Sequence, residues 1–260
     1  LYYSRKKEKM AIFTGAGVAI VTPMKENGEV NYDKMGELLD YQINNSTDAI
    51  VVCGTTGEAS TLTHEEHIET IRFTADYVKK RVPVVAGTGS NCTKTAVELS
   101  KEAQAAGVDG CLVVTPYYNK TSQRGLIEHY KAVAAASDLP LIMYNVPGRT
   151  GMKISVDTVV ELAKVPNIVA MKDATDDIAY AMEVLTRTKD MDFDLYSGCD
   201  DNILPFIAAG GKGVISVLSN LYPRETEMFA QAALKGDLEL ARKMAYDLND
   251  VSKYLFIDVN

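Results

Sequence analysis

The chain has no tryptophan, only three histidines and only four cysteines in 260 residues. Cysteines this sparse, none in C-x-x-C spacing, exclude a zinc ribbon and a thioredoxin-type motif. A chain of this length has no need of a disulfide scaffold. Cys53, Cys92, Cys111 and Cys199 are therefore read as reduced thiols of a cytoplasmic protein. No run is long and apolar enough to span a bilayer, so no membrane association is expected. Basic charge is also short: 27 Lys and Arg against 35 Asp and Glu give a net charge of −8. That balance argues against a nucleic-acid binder. An anionic substrate would need locally placed cations or backbone N–H groups. Finally, no Pro/Ser-rich linker or charge block divides the chain, which implies one domain. The first ten residues are polar and basic and lack the apolar core of a secretory signal. They read as a leader or cloning remnant ahead of a natural start at Met10.

What is present is a regular alternation. Short β-type runs fall near Gly17–Val21, Ala49–Val52, Val84–Ala86, Gly110–Val114, Leu141–Tyr144, Ile168–Met171, Asp194–Tyr196 and Gly213–Val217. Amphipathic stretches separate them, at Tyr32–Asn44, Glu65–Lys79, Lys94–Ala106, Gly125–Ala135, Val156–Lys164, Ile178–Thr186 and Ile203–Ala209. Two more, Arg224–Lys235 and Leu238–Val251, finish the chain. Thr63-His64-Glu65-Glu66 is a capping box. Gly107 and Gly210 suit left-handed positions after helices. Eight strands, each followed by a helix, imply parallel pairing by right-handed crossovers and fit a closed (β/α)8 TIM barrel. The competing architecture is an open doubly wound sheet with a single binding crevice. In the barrel reading, residues 11–235 form the barrel and residues 236–260 begin a C-terminal helical segment.

Barrel chemistry sits at the C-terminal strand ends, so those ends decide the function. Strand six closes on Lys172 after the apolar run Ile168-Val169-Ala170-Met171. Burying a lysine disfavours its ammonium form, and a free amine in a pocket condenses with a ketone to a Schiff base. A strand-end lysine also snorkels into solvent, so the residue alone does not decide. Alternation puts Ile168, Ala170 and Lys172 on one face, and Ile142 and Tyr144 on one face of strand five. If both faces point inward, amine and phenol converge, and the phenol becomes a proton shuttle. Gly54-Thr55-Thr56-Gly57 offers backbone N–H groups to an anion, although a plain βα turn looks the same. Arg149, in a Pro/Gly-rich loop, suits a carboxylate. His64 and His67 lack the H-E-x-x-H spacing and are read as solvated. Asp200-Asp201 is read as a cap for the next helix rather than a metal site.

Taken in order, G-T-T-G-E at Gly54–Glu58, Y-Y-N-K at Tyr117–Lys120, Y-N-V-P-G-R-T-G at Tyr144–Gly151, the strand-end Lys172 and G-V-I-S-V at Gly213–Val217 resemble the dihydrodipicolinate synthase family. That family lies in the pyruvate-dependent class I aldolase superfamily, which includes N-acetylneuraminate lyase. The resemblance runs from about Phe13 to the end of the chain. It implies condensation of pyruvate with L-aspartate-4-semialdehyde to 4-hydroxy-tetrahydrodipicolinate, the first committed step of lysine and diaminopimelate biosynthesis. It assigns the Schiff base to Lys172 and proton relay to Tyr144, with Thr56 linking Tyr144 to a Tyr118 that reaches into a neighbouring subunit. Thr55 and Thr56 would hold the pyruvate carboxylate, Arg149 would bind the semialdehyde, and Gly198 and the Ile215 carbonyl would line the pocket. No metal or organic cofactor is implied, because the lysine is the electron sink. The partners implied are the two substrates and other copies of the chain, as a dimer of dimers.

Two rivals remain, a sugar-acid lyase of the same superfamily and a catalytically silent barrel that binds a small acid. Arg149 and Gly54-Thr55-Thr56-Gly57 speak against the lyases, which lack that arginine and tend to carry G-S-T-G. Two departures are expected to matter. Family members continue with further helices beyond a segment like Tyr254–Ile257, so the helical subdomain looks truncated and assembly or activity is expected to be impaired. Ala59, His64, Asn91 and Tyr117 resemble a lysine-inhibition site, but Thr95 stands where sensitive members carry a glutamate, so weak or absent inhibition is expected.

Overall fold

The computed structural model describes residues 11–258. The expected leader at 1–10 lies outside the described residues. Eight parallel strands close into a barrel in chain order: β1 (Gly15–Ala19), β2 (Ala49–Val52), β3 (Val84–Gly87), β4 (Gly110–Val114), β5 (Leu141–Asn145), β6 (Ile168–Asp173), β7 (Asp194–Ser197) and β8 (Gly213–Ser216). Closure through β1–β8 pairing, with Gly17 opposite Ile215, excludes the open sheet. The helices are α1 (Tyr32–Asn44), α2 (His64–Val78), α3 (Thr93–Ala105), α4 (Gln123–Ala134), α5 (Pro147–Thr150), α6 (Val156–Leu162), α7 (Ile178–Thr188), α8 (Ile203–Ala208), α9 (Pro223–Lys235) and α10 (Leu238–Tyr254). Among the described residues, no helix is long and apolar enough to cross a membrane.

Local chemistry sets the element ends. Thr63 and Glu66 form the expected reciprocal capping box at the start of α2. Asn31, Ser122, Ser155, Asp177 and Asp237 cap α1, α4, α6, α7 and α10 with side-chain oxygens. Gly107 and Gly210 take φ of 78° and 116°, as their positions after helices require. Alternation along the strands sorts side chains into two layers. Val51, Val85, Leu112, Ile142, Ala170 and Ile215 fill the barrel. Val18, Ile50, Val52, Val113, Met143, Met171 and Leu195 pack outward against the helices. A third apolar cluster joins Ala16 of β1 and Val214 of β8 to α8, α9 and α10. Each such aliphatic side chain contributes roughly 1.5–3 kcal/mol by leaving water.

Strand β6 departs from simple alternation. Leu141 pairs with Ile168, but Ile142 pairs with Ala170, so Val169 is an extra residue and the register shifts there. Ile168 consequently belongs to the outer layer and does not share a face with Ala170 and Lys172. A bulge of this kind reverses the side-chain parity below it while leaving the parity above it intact.

Candidate active site

The expected convergence forms at the C-terminal mouth. Register places Tyr144 opposite Lys172 on β5 and β6, and Lys172 opposite Tyr196 on β7. Lys172 is 4% exposed, and its Nζ lies 4.4 Å from the centroid of the Tyr144 ring. A cation held over a phenol face is attracted by the ring quadrupole. On the β7 side, Gly198 closes the space around the lysine. A Cβ there would stand 2.8 Å from Ala174 Cβ and 3.0 Å from Lys172 Cε, so only glycine fits without displacement. Ile215, fully buried in β8, completes the wall inside the barrel.

Beside this pair opens a cavity of about 470 Å³. Its lining includes Thr55, His67, Tyr117, Tyr144, Arg149 and Thr150. Tyr144 thus serves both places, facing the amine and walling the cavity, whereas Lys172, Gly198 and Ile215 are not part of the lining. Arg149 is exposed, and it sits not in a loop but in the single turn of α5, which opens with Pro147 and ends at Gly151 with φ 66°. The turn carrying Gly54–Gly57 closes through the Glu58 and Ala59 amides, which donate to the carbonyls of Thr55 and Gly54 at 3.0 and 3.4 Å. The Thr22 hydroxyl donates to the Gly57 carbonyl at 2.7 Å. A Cβ on Gly57 would approach the Ile20 carbonyl to 3.0 Å, which accounts for that glycine. Of the two threonines, Thr55 lines the cavity with Tyr144 and Thr56 does not. The cavity wall thus carries Thr55, and not Thr56, together with Tyr144.

Other expected residues fall elsewhere. Tyr118 is 91% exposed, takes φ 67°, and does not line this cavity. Ala59, His64, Thr95 and Tyr117 line the cavity, while Asn91 does not; its carbonyl accepts from Asn119 Nδ2 at 3.1 Å. His67 is not solvated. It is 6% exposed, its Nε2 lies 2.7 Å from the Gly87 carbonyl, and burial pulls its pKa below the usual histidine value. The signal was present: His67, Ile71, Thr74 and Val78 share the buried stripe of α2. Asp200 does not cap the helix that follows it. Its Oδ2 accepts from the Val217 and Leu218 amides at 3.0 Å, capping the turn after β8 from across the barrel rim. Burial raises its pKa, and hydrogen bonds oppose the rise. Asp201 instead lies with Asp176 and Cys199 at the rim.

Behind the mouth lie two residues not expected from the sequence. Asn145 and Asp173 follow Tyr144 and Lys172 directly and point to the outer layer, both buried. Asn145 Nδ2 donates to Asp173 Oδ1 at 2.9 Å, and Thr175 Oγ1 donates to Asp173 Oδ2 at 2.7 Å. Burial pushes the Asp173 carboxyl up to about 6 despite these bonds. Polar residues at helix-covered strand positions must be paired, and that requirement was the available clue.

A buried amine, a phenol against it and an arginine-bearing cavity at a barrel mouth are the equipment of carbonyl condensation through a Schiff base. Comparison with known proteins agrees. The model of the dihydrodipicolinate synthetase family matches residues 12–260. The 4-hydroxy-tetrahydrodipicolinate synthase of Lachnoclostridium phytofermentans is 59% identical over 252 residues, covering 96% of this chain and 85% of the relative. The crystal structure of dihydrodipicolinate synthase from Aquifex aeolicus superposes with a TM-score of 0.93 at 49% identity, over 95% of this chain and 84% of that one. The enzyme from Acinetobacter baumannii, solved in complex with pyruvate, gives 0.93 at 42% identity over 95% and 84%. With the family pattern spanning nearly the whole sequence and the barrel superposing this closely, the chain belongs to the dihydrodipicolinate synthetase family.

Proposed function

We propose that the chain carries the activity for which its relatives are named, joining pyruvate to L-aspartate-4-semialdehyde to give 4-hydroxy-tetrahydrodipicolinate. The observation that carries this reading is the buried Lys172 amine held 4.4 Å from the Tyr144 ring centroid at the barrel mouth. The Lys172 amine attacks the pyruvate ketone carbon, water leaves, and an imine forms. Loss of a proton from the methyl carbon gives an enamine, whose carbon attacks the aldehyde and forms the new C–C bond. The semialdehyde amine then displaces Lys172 from the imine carbon, which closes the ring and returns the free lysine. Tyr144 carries protons to and from these adducts, and Thr55, on the same cavity wall, is the threonine we propose to relay them.

The amides of Thr55 and Thr56 are left for the pyruvate carboxylate, because the turn closes through Glu58 and Ala59. Arg149, on the cavity wall, takes the semialdehyde carboxylate. Tyr118, almost wholly exposed on left-handed backbone, reaches a neighbouring subunit of a cytoplasmic homo-oligomer. Residues 11–235 carry the site, and α10 packs after them. The relatives compared above bear neither a sugar-acid lyase nor a binding-protein name, so those rivals gain no support.

The test is reduction with borohydride in the presence of pyruvate. Intact mass rises by the reduced adduct, and peptide mapping puts the label on Lys172. A label on another lysine, or none, overturns the reading.

A further inference from the structure

The last two register pairs of β5 and β6 are Tyr144 with Lys172 and Asn145 with Asp173. Alternation sends the first pair into the barrel and the second under the helices. The outer pair is as buried as any apolar pair, with Asn145 0% and Asp173 3% exposed. Such a position is ordinarily filled by valine or isoleucine. A carboxylate there is costly unless its bonds return something.

What the bonds return is fixation of the barrel mouth. The Asn145 amide group is fully engaged. Its Nδ2 donates to Asp173 Oδ1 at 2.9 Å and to the Tyr180 hydroxyl at 3.3 Å, and its Oδ1 accepts from the Ile154 amide at 3.1 Å. The Tyr180 hydroxyl in turn donates to the Ile154 carbonyl at 2.8 Å. The Asp173 carboxylate is completed by Thr175 Oγ1 at 2.7 Å. Backbone bonds at the same residues extend the connection: the Ala174 amide donates to the Asn145 carbonyl at 2.9 Å, and the Gly198 amide to the Asp173 carbonyl at 2.7 Å. The side-chain pair thereby pins the ends of β5 and β6, α7 and the segment entering α6, and the backbone of Asp173 adds the end of β7. The residues one step back in the chain are Tyr144 and Lys172. Gly198, held by the Asp173 carbonyl, is the residue that closes on Lys172 Cε.

We propose that Asn145 and Asp173 are positioning residues that hold the Lys172 amine in its reactive relation to Tyr144, acting through hydrogen-bond geometry and not through charge. This rests on the condensing activity proposed above. Neither residue touches substrate. They act on the two groups that do.

The experiment is a double-substitution cycle read by the rate of borohydride-trapped adduct formation at saturating pyruvate, with thermal unfolding measured in parallel. Asn145→Ala slows adduct formation by roughly tenfold or more, the scale expected when reacting groups are misplaced by a fraction of an ångström. The loss falls on kcat and not on the KM for pyruvate. In a Tyr144→Phe background the same substitution costs less than about threefold, because the relation it protects is already gone. Asp173→Ala behaves like Asn145→Ala. Asp173→Asn, which can still accept from Asn145 and pair with Thr175, stays within about threefold of the parent.

Equal losses in the two backgrounds, or an Asp173→Asn rate as low as that of Asp173→Ala, overturn the proposal. Should Asn145→Ala not fold, Thr175→Val removes one bond from the same carboxylate and is read in the same cycle. A parent enzyme that gives no adduct at Lys172 defeats the function itself. A parent that does, with Asn145→Ala unaffected, defeats only the positioning role.

Discussion

The mouth and the floor of the barrel each depend on a tyrosine from a strand flanking Lys172. Tyr144 and Tyr196 stand at the same register level on either side of the lysine, and both belong to the barrel interior. Tyr196 turns downward. Its hydroxyl donates to the Phe13 carbonyl at 2.7 Å, and its ring stacks on Phe13 at 4.5 Å, plugging the end opposite the site. Tyr144 stays at the mouth, against the amine and the cavity. The same residue type at the same level is structural on β7 and a proposed proton carrier on β5. Position in the register does not make a functional tyrosine; direction and neighbours do.

The largest expected effect removes the group both tyrosines flank. Lys172→Met keeps the volume and loses the amine, so turnover falls by at least about a thousandfold and the borohydride adduct disappears. Retained turnover would mean that the mouth does not work as described.

Removing one oxygen from each tyrosine separates their roles. Tyr144→Phe lowers kcat by roughly a hundredfold or more and leaves the unfolding midpoint near that of the parent. Tyr196→Phe leaves the Phe13 carbonyl without its donor, costs about 1–2 kcal/mol of stability, and keeps turnover within a few-fold. Steady-state kinetics and urea unfolding of both variants decide it, and swapped outcomes would break the contrast.

Gly198→Ala is expected to be milder. The new methyl must push against Lys172 Cε and Ala174, so adduct formation slows by roughly tenfold while the protein stays folded. An unchanged trapping rate would show that the lysine has room that the geometry denies it.

The smallest effect compares the two ends by pH. Each end holds a carboxyl pushed up from 3.8 to about 6, chiefly by desolvation: the buried Asp173 behind the mouth and the half-buried Asp48 at the floor, where its Oδ2 accepts from the Ala16 amide at 2.8 Å. The folded state binds these protons more tightly than the unfolded chain. Their stabilising contribution is therefore complete below the unfolded pKa of 3.8 and is lost as pH rises through about 6. For Asp173 that displacement corresponds to roughly 3 kcal/mol; Asp48 is more open to solvent and contributes less. Urea midpoints should fall across this window, and Asp48→Asn should remove the smaller share. A flat profile would contradict the desolvation of both groups.

Much of this architecture was legible because fully buried parallel strands are continuous apolar runs. Ala49–Val52 and Gly110–Val114 were read to the residue, and Lys172 and Tyr144 stood out as polar ends of such runs. What was not legible depended on distance or brevity. The Asp200 carboxylate serves amides 17 and 18 residues further on, which no local pattern reveals. The four residues of α5 are too short to show a helical period. Choosing between Thr55 and Thr56 requires knowing how the turn is tilted, and adjacent identical residues carry no pattern that says so. The extra residue in β6 is hidden because isoleucine, valine and alanine suit either face.

That extra residue has a consequence for how the chain tolerates change. Val169 divides β6 into two segments that keep separate phase: Ile168 answers to the helices, and Ala170 and Lys172 answer to the barrel interior. Deleting Val169 would leave both assignments standing, since Ile168 and Ala170 would then alternate normally. Lys172 is thus insulated from a one-residue length change immediately before its segment, the kind of change that in an unbroken strand would turn it out of the barrel.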